Sequence, residues 1–155
     1  MRIKEIDDLI DQCSSYLKTM ENNGEILGSH LTQYLIVRMY RSFEEQLREI
    51  VINRVEKSGD NEIVNYVKID HKHFRGISTS DIQEKILRKF GQDRLKEFQK
   101  KVSKNNIGQS YNSIISNRHS IVHSGGTIYA TFSDTVEAYN IGHRVFDMLR
   151  EVFGL

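Results

Sequence analysis

Apolar residues recur every three or four positions along most of the chain, which is the spacing of an amphipathic α-helix. After the first such stretch comes the turn Asn22-Asn23-Gly24, which is predicted to end the helix because glycine accepts the left-handed cap conformation. A second helix is predicted from near Ser29 to about Lys57, with apolar residues on more than one side and hence a central position. The apolar stripe of the first helix consists of Ile3, Ile6, Ile10, Cys13, Leu17 and Met20.

The middle of the chain gives a weaker pattern. Residues 62–80 fit either a short helix or an extended stretch, and the run 70–76 is polar enough for a loop. Ser80 and Gln83 have the spacing of a capping box, which predicts a helix that begins there and is interrupted at Gly91.

The last third of the chain predicts two more helices. One covers roughly Ile107 to His123 and is closed by Ser124-Gly125-Gly126. Residues 127–132 are prone to β-structure but too few to imply a sheet, and Ser133 or Asp134 is predicted to cap the final helix. We therefore predict an all-α fold, a bundle of about five or six helices, in a single domain over residues 1–155.

Composition restricts the class of protein. The hydrophobic fraction of 38% and the charged fraction of 28% are ordinary for a soluble globular domain. The lone Cys13 excludes an internal disulfide framework, and the charged N-terminus lacks the apolar core of a signal peptide. The longest apolar cluster, residues 34–37, is too short to cross a bilayer. A soluble, cytoplasmic protein without a membrane partner is expected.

The net charge of +1 conceals one basic segment. Residues 85–104 carry eight basic and two acidic side chains, a net charge of +6. Such a segment attracts phosphate. A solvated helix face explains a charge run equally well, and for the run alone we prefer that explanation.

The predicted helix over residues 107–123 contains an arginine in an unusual place. Arg118 follows Ile114 by four residues and Ile115 by three, so it lies on the apolar stripe. A guanidinium there cannot stay unpaired without a large cost in free energy. It must pair with a carboxylate, reach solvent through a cleft, or meet an anion at an interface, and Glu44 on the second helix is the natural carboxylate partner.

His123 lies at the last turn of the same helix. Five residues rotate an ideal helix by about 140° beyond a full turn, so Arg118 and His123 do not share one face. Within one chain they converge poorly on a small ligand. Two copies that pack this helix against its mate would line one shared cleft with both pairs, which favours a site built by a dimer.

The run Asn117-Arg118-His119-Ser120-Ile121-Val122-His123-Ser124-Gly125 resembles the Arg-x4-6-His motif of the HEPN superfamily. In that family the residue after the arginine is commonly Asn, Asp or His, and here it is His119. The motif lies near the end of a late helix that is followed by glycine, as the family expects. The second helix is also similar to that of RiboL-PSP-type HEPN domains, through Tyr34, Tyr40, Arg41, Ser42, Phe43 and Glu44.

This resemblance implies a metal-independent endoribonuclease that works as a homodimer on RNA and needs no cofactor. Arg118 is expected to bind the scissile phosphate, and His123 to act as general acid or base, leaving a 2′,3′-cyclic phosphate and a 5′-hydroxyl. Asn117, His119 and Glu44 are expected to support them. A toxin or an antiphage-defence effector with an antitoxin partner is the setting that the family suggests. In the basic segment, the candidate RNA contacts are Lys100, Lys101 and Lys104.

Two other interpretations remain. His119 and His123 have the spacing of a two-histidine metal site, but with no third ligand evident we predict no metal; a cluster of Asp70, His71 and His73 fits a solvated loop better. The second interpretation concerns function: a non-catalytic helical module that dimerises or binds RNA or protein. It predicts that Arg118 forms a salt bridge within the fold and that its loss costs stability instead of activity.

Overall fold

The computed structural model describes residues 2–19, 24–71, 76–123 and 128–155, and within these ranges the chain forms helices and no β-strand. The predicted all-α class is confirmed. In chain order the helices are α1 (Lys4–Thr19), α2 (Gly24–Glu56), α3 (Asn61–Asp70), α4 (residues 79–90), α5 (Gln92–Val102), α6 (Ile107–His123), α7 (Phe132–Gly142) and α8 (Arg144–Phe153), with a 3₁₀ turn at Lys104–Asn106. Helix α4 contains a π-helical stretch, Ile82–Leu87, between Thr79–Asp81 and Arg88–Phe90.

Helix α2 is the centre of the bundle. Its 33 residues span about 50 Å at 1.5 Å per residue, and it contacts α1, α3, α6, α7 and α8. This confirms the predicted central position, although α2 begins at Gly24 and not near Ser29. Gly24 therefore belongs to the second helix and is not the cap of the first. Residues 20–23 lie outside the described ranges.

Aromatic side chains pack where the middle of α2 meets α6 and α8. Phe43 stacks on Tyr111 of α6 at a centroid distance of 5.1 Å and meets Phe146 of α8 edge-on at 5.2 Å. The buried Tyr111 hydroxyl donates a hydrogen bond of 2.8 Å to the carbonyl oxygen of Ile77. The stacking of Tyr111 on Phe43 fixes how α6 lies against α2. The hydrogen bond joins α6 to the segment before α4, because a buried hydroxyl needs a partner.

The predicted starts of two helices are wrong by two or three residues. The capping box that opens α4 is Ser78 with Asp81, not Ser80 with Gln83. The box that opens α7 is Thr131 with Asp134, not a cap at Ser133 or Asp134. In each case a carboxylate occupies the third helical position, where it accepts from the cap residue's backbone N–H and hydroxyl. A charged acceptor makes a stronger cap than a glutamine amide, which is the physical reason for the shift.

For one further segment the sequence fitted either a helix or an extended stretch, and another segment differs from its prediction. The weakly patterned stretch after residue 60 is a helix, α3, capped by the Asp60 side chain. The final helix is divided at His143 into α7 and α8, with the His143 Nδ1 atom 2.9 Å from the carbonyl oxygen of Tyr139. The division lets α7 pack on α6 while α8 packs on α5. The β-prone residues 128–131 form no strand, and Phe132 already belongs to α7.

The Asp81 cap gives a pH-dependent prediction. Partial burial would raise the pKa of Asp81, but hydrogen bonds from Lys85 and Ser78 outweigh it and hold the pKa below its ordinary value. Because the pKa of Asp81 is lower in the folded state, its carboxylate stabilises the fold at pH values above the unfolded-state pKa of about 3.9. That contribution is lost as the pH falls through the lower folded-state pKa. We expect Asp81→Asn to lower the free energy of unfolding by about 1 kcal/mol at pH 7, as measured by urea denaturation.

The deficit of Asp81→Asn should shrink when the same denaturation is done at pH 3. The control is Asp8→Asn, which changes an exposed carboxylate on α1 and should have little effect at either pH. An equal loss of unfolding free energy in Asp81→Asn at pH 7 and at pH 3 would show that the Asp81 carboxylate does not make the stability of the fold depend on pH.

Candidate functional site

Helix α6 has the bounds that its sequence predicts, Ile107–His123. Its apolar stripe is buried at Ile107, Tyr111 and Ile114, but further along the helix Ile115 is only half-buried and Val122 is 52% exposed. The stripe therefore leaves the core toward the C-terminal end of the helix. Arg118 lies in this transition and is half-buried.

The guanidinium of Arg118 lies over the ring of Tyr40 on α2, with its central carbon 4.5 Å from the ring centroid. The expected ion pair with Glu44 is not formed between these two described residues. Instead, Glu44 interacts with the Tyr40 hydroxyl. The pKa of Tyr40 is raised by burial first and then by the negative charge of Glu44 and a hydrogen bond to its carboxylate, while the Arg118 charge lowers it. Tyr40 thus stands between a carboxylate and a guanidinium.

This stacking leaves the donors of Arg118 available. A ring face attracts the guanidinium plane but accepts none of its five N–H groups. In the described part of the chain those N–H groups have no protein acceptor. They are not enclosed by protein either. Among the described residues, buried side-chain nitrogens without a partner occur on Arg38, Arg54 and Arg150, and none occurs on Arg118. Of the three solutions open to an arginine on the apolar stripe, the described residues provide no carboxylate pair, and they leave the guanidinium accessible from outside the chain.

The two histidines of the motif lie on another face of α6. His119 and His123 are both exposed, and their rings are 4.5 Å apart between centroids with a tilt of 40°. Arg118 contacts Tyr40 on α2, and an ideal helix places His123 about 140° around the axis of α6 from Arg118. Asn117, next to Arg118, is half-buried. Residues 124–127, which include the glycine pair, lie outside the described ranges.

The predicted RNA contacts of the basic segment are distant from this end of α6. Lys104 lies before the first turn of the helix, and the 17 residues of α6 put roughly 25 Å between it and His123. Lys100 is exposed, whereas Lys101 pairs with Glu151 at 2.6 Å and with Glu97 at 3.7 Å. Other basic side chains of the segment are also paired, in Lys85–Asp81, Arg88–Glu84 and Lys89–Asp70. The structure does not bring the lysines and the motif together.

No group of three or more metal-ligating side chains occurs among the residues with a described position. Of the second predicted cluster, His73 lies outside those residues. His71 is buried, and burial lowers its pKa, so it is not the solvated side chain that the sequence suggested. Cys13 is likewise buried, and burial raises the pKa of its thiol.

Tyr40 is the residue that the sequence reasoning missed. From the sequence, Tyr40 counted as one of the α2 residues that resemble those of RiboL-PSP-type HEPN domains. The available signal was Glu44, four residues later and hence on the same face of the helix. A tyrosine and a glutamate in that spacing, opposite an arginine, indicate a polar position at the edge of a core.

The family model of RiboL-PSP-HEPN matches residues 1–154. The chain belongs to the RiboL-PSP-HEPN family. This confirms the HEPN resemblance of the sequence, and membership indicates a nuclease-like or RNA-related module. A search of curated proteins and a search of solved structures gave no match. Within the described part of this HEPN domain, no helix has the length and apolar character that a membrane span requires.

Proposed function

We propose that this HEPN domain is a metal-independent endoribonuclease whose site is shared across a homodimer. The observation that carries the proposal is Arg118: it lies at the edge of the core, supported by Tyr40, with N–H donors that no described residue accepts. A guanidinium of this kind binds phosphate through paired hydrogen bonds and stabilises the charge that develops on it in the transition state. An exposed imidazole, His123, lies five residues further along the same helix.

The proposed reaction is an internal transfer of the phosphodiester. His123 takes the proton of the ribose 2′-hydroxyl, the 2′-oxygen attacks phosphorus, and the bond from phosphorus to the 5′-oxygen breaks. The 5′-oxygen receives a proton from the second copy's imidazole or from water. The products are a 2′,3′-cyclic phosphate and a 5′-hydroxyl, and no metal or other cofactor enters the balance. Asn117, His119 and Glu44 act as supporting residues.

Exposed apolar side chains beside the site support a dimer. Val37 precedes Tyr40 by three residues and is 41% exposed, and Val122 follows Arg118 by four and is 52% exposed. Tyr34, one turn before Val37 on α2, is 49% exposed. Contact of these residues with a second copy would remove them from water and would bring a second Arg118 and His123 to the same cleft. Such a dimer would bring together Arg118 and His123 side chains, which lie on different faces of α6 within one chain.

The decisive experiment is cleavage of a mixed pool of structured and single-stranded RNAs in EDTA, with analysis of the product ends. We expect chelator-resistant cleavage that leaves 2′,3′-cyclic phosphate and 5′-hydroxyl ends. Products that carry a 3′-hydroxyl would contradict the proposed chemistry, and no cleavage of any RNA would favour a non-catalytic module that dimerises or binds RNA. If cleavage is found, a toxin or antiphage effector restrained by a partner protein is the biological role that we propose.

Tyr40 gives a more specific prediction about the same site. Tyr40→Leu removes the ring under Arg118, and a partly desolvated cation–π contact is worth up to about 2 kcal/mol, so we expect the single-turnover rate of cleavage to fall by about tenfold. Tyr40→Phe keeps the ring face and loses only the hydroxyl near Glu44, so it should retain most of the rate. Equal rates for the two variants would show that the ring face does not position Arg118.

A further inference from the structure

His119 and His123 form a pair that the proposed ribonuclease mechanism uses only in part. Both imidazoles are exposed on one face of the last turns of α6, with 4.5 Å between their centroids. On an ideal helix they lie about 100° and 140° around the axis from Arg118. The mechanism needs one imidazole as acid or base, and the supporting role of His119 does not require its ring to lie against that of His123.

The separation of the rings is suited to binding one metal ion. A metal–nitrogen distance of about 2.0–2.1 Å puts each ring centroid about 3.2 Å from the ion. Two such rings at a bond angle between about 90° and 110° then have centroids roughly 4.5–5.2 Å apart. The observed separation lies at the lower end of this range, so the distance between the two rings is compatible with chelation of one ion.

The donor set selects the class of metal. Neutral imidazole nitrogen suits Zn²⁺, Cu²⁺ and Ni²⁺, whereas Mg²⁺ and Ca²⁺ prefer oxygen. No third side-chain ligand lies with the pair among the residues that the structure describes. Water would therefore complete the coordination, which is typical of an ion that binds reversibly and not of a structural metal with a closed set of four ligands.

The spacing alone led us to predict no metal at this pair, and the separation of the rings now changes that prediction. We propose that His119 and His123 form a two-histidine site for a divalent transition metal such as Zn²⁺, and that its occupation inhibits the enzyme. The first part stands on the geometry alone; the second rests on the proposed function. A ring nitrogen that donates its lone pair to a metal cannot take a proton, so a bound ion removes His123 from general acid–base chemistry. The consequence is a nuclease that needs no metal and that a chelator activates.

The binding part is tested by calorimetric titration of the purified full chain with ZnCl₂, followed in parallel by the NMR signals of the imidazole nitrogens. We expect His119→Gln to weaken Zn²⁺ binding by at least about tenfold, since a change in a mere outer partner of a metal ligand already has that effect. The matched control is His30→Gln, which changes an exposed histidine on α2 and should leave binding as in the wild type. MgCl₂ should shift neither signal.

The inhibition part is tested by cleavage at increasing ZnCl₂ and its reversal by EDTA. For His119→Gln, the Zn²⁺ concentration that halves its own metal-free rate should be at least about tenfold higher than for the wild type. Equal Zn²⁺ binding by His119→Gln and the wild type would overturn the site. Binding at the pair without loss of cleavage would overturn the inhibition. If the chain cleaves no RNA, the proposed function fails while the calorimetric result still decides the metal site.

Discussion

Arg118→Ala is expected to lower the rate of RNA cleavage by about 10²–10³-fold, the loss found when a preorganised donor to a developing oxyanion is removed. His123→Ala should lower it by about 10²–10⁴-fold, since it removes the general acid or base. Both variants should fold, because Arg118 is half-buried at the end of the apolar stripe and His123 is exposed. The measurement is single-turnover cleavage in EDTA by proteins with matched free energies of unfolding.

The charge-matched control for Arg118 is Arg41→Ala on α2. Arg41 is exposed and pairs with Glu45 at 3.1 Å, so its loss removes a positive charge without touching the Tyr40 ring or α6. We expect its cleavage rate to stay within a few-fold of the wild type. If Arg118→Ala instead retains full cleavage and loses stability, the arginine is structural, and a non-catalytic module becomes the better description of the domain.

The effects of Arg118→Ala and His123→Ala should not add. Groups that act in one transition state are coupled, so the double variant should be little slower than the slower single variant. A double variant whose loss equals the product of the two single losses would mean that the two residues stabilise the transition state independently of each other.

Gly142→Ala is expected to lower the free energy of unfolding by about 2–3 kcal/mol, the upper range for overpacking. A Cβ atom at position 142 would lie 2.7 Å from the backbone nitrogen of Tyr111 and 2.8 Å from its Cα. Both are backbone atoms of α6, so relief requires α6 and α7 to separate. Because Tyr111 stacks on Phe43, that movement also disturbs the core that orients Arg118. Urea denaturation measures the effect.

The matched control is Gly28→Ala, another glycine within a helix. Among the described residues, a Cβ there would meet the Leu17 side chain at 3.7 Å, an ordinary van der Waals distance. Removal of the conformational freedom of glycine should stabilise the protein by about 0.5–1 kcal/mol. Substitutions of the same type should therefore have opposite signs. Destabilisation by both would indicate a general intolerance of alanine and not a close approach of α6 and α7.

Local pattern was sufficient for much of the fold. The bounds of α6, the central position of α2 and the interruption at Gly91 all follow from periodicity and from glycine, since a helix satisfies its own backbone hydrogen bonds within a few residues. The errors at Ser78 and Thr131 have a local cause as well. Each true cap pairs with a carboxylate three residues on, and the alternative signals nearby, Ser80 and Ser133, have the right residue type but the weaker partner or none.

The sequence by itself determined that Arg118 interrupts the apolar stripe of α6, that His119 and His123 share a face, and that Arg118 and His123 do not. These are properties of spacing along one helix. Only the tertiary structure decided that Tyr40 and not Glu44 receives the guanidinium, that Lys101 pairs with Glu151, and that Gly142 lies against Tyr111. Each of these contacts joins residues at least 31 positions apart, and the packing of whole helices sets their distance; no periodicity along the chain encodes it.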